Sequence, residues 1–395
     1  MKKSLIALAF GTLALGMTEF VMMGILADVA NALGITIPQA GHLVSAYALG
    51  VTCGAPLLAV AKQFRPKSIL LFLVCLIFIG ALISSVAQSY EMLLVARFIS
   101  GLPHGAYFGV ASIVAVRLAD EGHKTGAVST MIAGMTVANL LGVPLETALS
   151  AHISWRMPFI IISFYSLLVI YYIWKWVPQL EVTPSNGYKG QFRFLKTGAP
   201  WLILGATMLG NGGVFCFYSY VTPILTNDGG IPYEYMSAIM ILAGFGMVVG
   251  NLVSGKLSDR YTPGRVATAM MLFAATSLMS VFIFAHNGWV AAAFTVFSVL
   301  SMFAMSSPQQ YLILKHAPGG EMLGGACIQM AFNMGNAVGA FLGGLPIAAG
   351  LDDRYAAIVG APMALGAAVL MTAFCVKYEK NKVWTSYFYL FPKTE

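Results

Sequence analysis

Long apolar stretches, each bounded by charge, proline or glycine, follow one another almost from end to end of the chain. A bilayer core about 30 Å thick is crossed by a helix of about 20 apolar residues. The stretches predict helices near 4–26, 41–61, 68–88, 92–116, 127–150, 157–176, 200–225, 234–254, 265–285, 288–314, 321–349 and 354–376. The longest polar interruption, Pro178 to Lys196, contains Glu181, Pro184, Asn186, Gly187, Lys189 and Arg193 and divides six helices from six. The expected architecture is an all-α membrane protein of twelve transmembrane helices: an N-terminal six-helix bundle (1–177), a cytoplasmic linker (178–198), a C-terminal six-helix bundle (199–377) and a cytoplasmic tail (378–395).

Laying the second half on the first with a shift near 197 residues brings landmarks into coincidence. Asn139-Leu-Leu-Gly142 falls on Asn336-Ala-Val-Gly339, Phe64-Arg-Pro66 on Tyr261-Thr-Pro263, Gly16 on Gly213 and Phe20 on Phe217. Each half holds an even number of helices, so both copies enter the membrane in the same sense, as parallel repeats about an axis along the membrane normal. The halves therefore form two parallel six-helix repeats, with a substrate site expected between them near mid-membrane.

Composition agrees: 58% of residues are hydrophobic and 9% charged, with a mean hydropathy of +0.80, whereas soluble domains carry roughly a quarter charged residues. The net charge of +7 is scattered between apolar runs, which argues against a nucleic-acid surface. It reads instead as a topology signal. All but three of the 22 lysines and arginines fall on one side; Arg156 and Arg354 lie on the other and Arg97 inside a helix. Basic loops stay cytoplasmic, so both termini and the linker are expected there, in a bacterial inner membrane. Met1 to Lys3 followed by apolar residues imitates a signal peptide, but the apolar run continues to Leu26, long enough to span. The five cysteines lie within apolar runs without metal-type spacing. No GxxxxGK[ST] loop occurs, so no bound nucleotide is expected, and neither is a cofactor or a metal.

Three ionisable groups fall inside spans: Glu19, Arg97 and Glu146. Each is costly in hydrocarbon and reads as functional. Counted from helix ends all three lie about 8–10 Å deep, at one level, which suggests an Arg97–Glu146 contact and Glu19 as the proton carrier. Small-residue stripes also stand out. The eleventh helix carries Gly335, Gly339 and Gly343, the fifth Gly134, Ala138 and Gly142, and the fourth Gly101, Gly105 and Gly109. Such stripes let helices approach closely in lipid, and their recurrence at equivalent places suggests a rocking interface between the halves. Asn139, Asn211, Gln309, Asn333 and Asn336 either bond helices together or line a sugar-sized cavity; Phe108 could stack on substrate.

The loop Gly255-Lys-Leu-Ser-Asp259-Arg260-Tyr-Thr-Pro263-Gly-Arg265 resembles the loop signature of the major facilitator superfamily. The resemblance implies a gating loop in which Gly255 starts a turn, Asp259 meets a helix N-terminus or basic partner, and Arg260 and Arg265 complete a charge relay. In the first-half copy Lys62 stands where Asp259 does. The whole chain resembles the twelve-helix drug:proton antiporters and, within them, AraJ-type sugar efflux transporters. The segments that carry this are Gly16-Met-Thr-Glu19-Phe20, Arg97-Phe-Ile-Ser-Gly101-Leu-Pro103-His104-Gly105, Gly134 to Pro144, and Ala331-Phe-Asn333-Met-Gly335-Asn336. The likeness makes Gly142-Val-Pro144 the end of an export signature and leaves His104 between substrate binding and packing. Glu146 departs from it, since a glycine is usual there and residue 146 maps onto Gly343.

The expected activity is proton-coupled efflux of sugars or other small molecules by alternating access. The chain is expected to be a monomer in lipid, with protons and a small-molecule substrate as partners, and no enzyme. An ion-independent facilitator would keep the fold without needing Glu19. A non-transporting sensor would need a signalling domain that the short loops do not offer.

Overall fold

The computed structural model describes residues 2–35, 37–61, 63–182 and 190–379. Lys62, residues 183–189 of the expected linker and residues 380–395 of the tail lie outside the described residues. Six helical rods precede the linker: α1 (Lys2–Leu33), α2 (Ile37–Ala61), α3 (Pro66–Ser85), α4 (Tyr90–Gly101 continued by Pro103–Leu118), α5 (Lys124–Val137, a π turn Ala138–Gly142, then Val143–His152) and α6 (Met157–Trp176). Six follow it: α7 (Gly198–Tyr218), α8 (Met236–Arg260), α9 (Pro263–Phe284), α10 (Gly288–Lys315), α11 (Glu321–Ala348) and α12 (Tyr355–Tyr378). Among the described residues, all but α2 and α11 are long and apolar enough to cross a membrane.

Local chemistry explains where the rods start and break. Prolines open α3 and α9, where a missing amide hydrogen costs nothing. Ser89 and Asn287 cap α4 and α10 by accepting from Met92 N (3.2 Å) and Val290 N (3.4 Å). Pro103 interrupts α4 at Leu102, because it cannot supply the next hydrogen bond. Pro144 likewise gives α5 no donor for the preceding turn, and the helix passes through a π turn just before it. The first helix runs seven residues beyond its expected end, to Leu33. The extension carries Asp28, whose carboxylate accepts from the Ser150 hydroxyl of α5, so the polar group is accommodated within the rod. Gly34, at φ +64°, then stops it.

The internal repeat reappears in the packing. α1 packs on α5 and α6, α2 on α4, and α3 on α4 and α6; in the second half α7 packs on α11 and α12, α8 on α10, and α9 on α10 and α12. The halves meet through α5 against α8 and α10, and through α11 against α2 and α4.

This pairing corrects the expectation for the small-residue stripes on α5 and α11. They are not the interface between halves. A Cβ on Gly335, Gly339 or Gly343 would land on the carbonyl oxygens of Met208, Gly212 and Cys216, all on α7. On α5, a Cβ at Gly134 would meet the Ala9 carbonyl and one at Gly142 the Met17 side chain, both on α1. Four-residue spacing reports that a backbone comes close, not which one. The cross-half close approaches belong instead to Gly109, opposite the Met322 carbonyl of α11, and to Gly255, opposite Ser129 of α5. Gly339→Ala is accordingly expected to cost about 1–3 kcal/mol of stability through overpacking, read as a lower Tm in detergent. Gly41→Ala, at a position with open space, serves as the neutral comparison. Equal Tm values for the two would show that α7 and α11 yield freely.

Candidate functional site

Three helices bring the buried charges to one level. Arg97, in the first segment of α4, is wholly buried, and its Nη1 donates to the Thr18 carbonyl of α1 at 2.6 Å. Nη2 reaches towards the Glu19 carbonyl at 3.5 Å. The guanidinium also lies over the Tyr47 ring of α2, 4.6 Å from its centroid, where the ring's negative face attracts it. Tyr47 is therefore held on one face by Arg97, while its hydroxyl lies 2.8 Å from His104 Nδ1. His104 opens the second segment of α4, so the proline break places its ring against α1 and α2. Its Nε2 lies 3.9 Å from Glu19 Oε2, and Phe108, one turn further on, stacks on its ring at 5.3 Å.

Glu19 Oε2 has no hydrogen-bond partner, while the His104 ring is within reach of the Gln329 side chain. The Glu19 side chain is 11% exposed while that of His104 is fully buried, and Glu19 Oε2, the oxygen facing the ring, is itself buried. Glu146 is 1% exposed, and neither of its oxygens has a hydrogen-bond partner. The expected Arg97–Glu146 contact is not made: no guanidinium nitrogen comes within 4.0 Å of the carboxylate, although Arg97 is the charge that Glu146 feels most. Arg97 is spent on backbone carbonyls of α1. Exchanging the two, Arg97→Glu with Glu146→Arg, would therefore aim a carboxylate at the Thr18 and Glu19 carbonyls. Since removing one partner from a buried charge arrangement costs about 3–5 kcal/mol, the exchanged protein is expected to fall in membrane abundance at least as far as either single variant. Recovery to wild-type abundance would mean a direct pair.

The polar groups expected to line a cavity divide. Asn139, Asn211 and Asn333 each donate to the carbonyl four residues back in their own helix, those of Met135, Thr207 and Gln329, so their donors are locally satisfied. The buried oxygens of Asn211 and Asn336 have no partner. Phe108 and Gln309 meet at a central cavity between the halves, with Thr207, Met135, Gln329 and Phe332 around it. It holds only about 20 Å³, room for a water and no sugar. The centre is thus collapsed in this state.

Towards the Lys- and Arg-rich face the halves are clasped. Asp259, at the end of α8, accepts from the Thr125 and Gly126 amides of α5, both at 2.8 Å. An anion here meets unsatisfied amides and the positive end of the helix dipole. Two turns deeper, Ser129 Oγ donates to the Asn251 carbonyl at 2.6 Å and Asn251 Nδ2 to the Ser129 carbonyl at 2.9 Å; Ser307 of α10 donates to Asn251 Oδ1. The charge relay is absent: among the described residues neither Arg260 nor Arg265 has a carboxylate within 4.0 Å, and Arg260 lies over its neighbour Tyr261. Tyr47 and Asn251 were not foreseen from the sequence. A lone tyrosine or asparagine in an apolar run carries no local signal, and their roles come from partners 57 and 122 residues away.

Comparison with known proteins follows the same lines. Residues 8–324 match the Major Facilitator Superfamily. AraJ of Escherichia coli (strain K12), named as a transporter, is 44% identical over 368 residues, 93% of each chain. The inner membrane transport protein YdhP of the same strain is 33% identical over 380 residues, 96% of this chain and 97% of that one. Among solved structures, the E. coli fucose:proton symporter FucP superposes with a TM-score of 0.78 at 16% identity, covering 94% of this chain and 98% of its own. The proton:xylose symporter XylE gives 0.74 at 16% identity, covering 94% and 95%.

Proposed function

Because the chain belongs to the Major Facilitator Superfamily and is a multi-pass membrane transporter rather than an enzyme, we propose that it is a proton-coupled exporter of sugars or other small polar solutes. The two bundles, residues 1–177 and 199–377, rock about the central cavity, with 178–198 as linker and 378–395 as tail. The Lys- and Arg-rich face is the cytoplasmic one, in a bacterial inner membrane, and the protein works as a monomer. Relatives of the same fold include proton symporters of fucose and of xylose, so the architecture accommodates proton coupling.

One observation carries the reading: Glu19 Oε2, on a side chain that is 11% exposed, faces His104 Nε2 at 3.9 Å and has no hydrogen-bond partner. It stands inside a shell that Arg97 and Tyr47 hold rigid. A carboxylate tied into a hydrogen-bonded ion pair would not exchange protons readily; one left without a partner at the edge of a sealed cluster can. With the cytoplasmic clasp closed, its proton comes from the opposite face. Loading Glu19 there and releasing inside, while solute moves outward, gives antiport. Arg97 holds α1 against α4.

The test is purified protein in proteoliposomes with an imposed pH gradient, screened against monosaccharides, nucleosides and amphiphilic drugs. Solute flux that follows the gradient, with counterflow of protons, is the expected result. Flux indifferent to the gradient and to an uncoupler would make the protein a facilitator, and no flux of any compound would end the exporter reading.

A further inference from the structure

A second cavity, far larger than the central one, lies elsewhere among the described residues. It lies at the basic face, holds about 740 Å³, and is walled by the ends of α4 and α10, the start of α5, the linker and the α10–α11 connection. That is the size of a small-molecule site. Four cations line it from separate elements: Arg117 on α4, Lys124 on α5, Arg193 in the linker and Lys315 on α10. Two come from the first half, one from the second and one from the segment joining them.

Two of the acids nearby are already engaged. Glu321, on the cavity wall, accepts from the Gly319 amide at 3.0 Å. Asp259, close to the cavity residue Tyr311, has both oxygens on the α5 amides. Among the described residues, none of Lys124, Arg193 and Lys315 has a carboxylate within 4.0 Å, and Arg117 Nη1 donates to the Glu181 carbonyl at 2.9 Å. Closing the clasp therefore gathers like charges around one hollow, which an anion would offset. The Arg193 fork and two ammonium groups suit a phosphate's geometry and charge, and Tyr311 and buried Phe194 offer an apolar wall for an organic body.

We propose that this cavity binds a phosphate group, carried by a soluble phosphorylated compound or by a phospholipid headgroup, and that the bound anion bridges the halves and linker to hold the cytoplasmic side closed. The site is separate from the central cavity and from Glu19, and it regulates rather than carries substrate.

The experiment uses the full chain in neutral detergent with labelled pyrophosphate, and in parallel in phosphatidylcholine vesicles with and without phosphatidylglycerol. The variants are Lys124→Gln with Lys315→Gln, and Arg193→Gln in the linker, which keeps the test open if the double variant folds poorly. Lys256→Gln with Lys377→Gln, on the same face but off the cavity wall, is the control. Expected is saturable binding with Kd raised at least tenfold in the cavity variants and unchanged in the control. Thiol labelling of Ile132→Cys at the central cavity should slow when the anion is present. Binding of pyrophosphate assigns the site to soluble phosphates; an effect of phosphatidylglycerol alone assigns it to lipid; both sustain it. No saturable binding and no phosphatidylglycerol effect, or an equal loss in the control, overturns it.

Discussion

Glu19→Gln is expected to abolish proton-driven transport while leaving solute exchange across the membrane intact. Glutamine keeps the shape of the side chain and its place 3.9 Å from His104 Nε2, and the Arg97 bonds go to backbone carbonyls of Thr18 and Glu19, which the substitution does not touch. The fold and the clasp should survive. What is lost is the ability to gain and lose a proton. In proteoliposomes the flux driven by a pH gradient should fall at least about tenfold, the equivalent of about 1.4 kcal/mol, while counterflow with solute on both sides stays within about twofold of wild type. Undiminished proton-driven flux would remove Glu19 from the coupling role and leave the buried Glu146 as the carboxylate to examine.

The second large effect is expected at Asp259→Asn. The carboxylate bridges two amides of the α5 first turn at 2.8 Å each. An asparagine oxygen can accept from one of them, but its amide hydrogens then face the other. A hydrogen bond to a charged group contributes about 1.5–3 kcal/mol, so the state clasped at the basic face should lose about 2 kcal/mol relative to the open one. That corresponds to roughly a thirtyfold shift in population. Ile132 lines the collapsed central cavity and is buried, so Ile132→Cys should become correspondingly faster to label from the cytoplasmic side. An unchanged labelling rate would mean that the Ser129–Asn251–Ser307 contacts beneath hold the face closed by themselves.

How far the sequence foretold this arrangement depends on the range of the signal. The spans were legible because an apolar run of membrane length is a local property, and so was the common level of Glu19, Arg97 and Glu146, which needs only a count along each helix. The clasp was half legible: the loop pattern implied that Asp259 meets a helix N-terminus or a basic partner, but not which, nor that the helix is α5 of the other half. Partners were not legible. The stripes on α5 and α11 looked like a moving surface and turned out to seat α1 and α7 within each half. Arg97 seemed made for Glu146 and took carbonyls instead, because a main-chain oxygen has no letter in the sequence. Breaks in α4 and α5 were hidden for a related reason: Pro103 and Pro144 are visible, but whether a helix bends, restarts or passes through a π turn is decided by what packs beside it.

The glycine seams also bear on how the protein is made. A Cβ at Gly134 would lie against the Ala9 carbonyl, so α1 finds its resting place only when the fifth helix arrives, some 125 residues later in synthesis. At about 5–20 residues per second, that is a wait of roughly 6–25 s. For that time α1, with Glu19 aboard, is in the membrane without the backbone that finally covers it, and the same delay recurs for α7 until α11 emerges. An insertase or chaperone that shelters a first helix would have its longest engagement here, and nascent chains arrested before residue 134 should be the ones it holds.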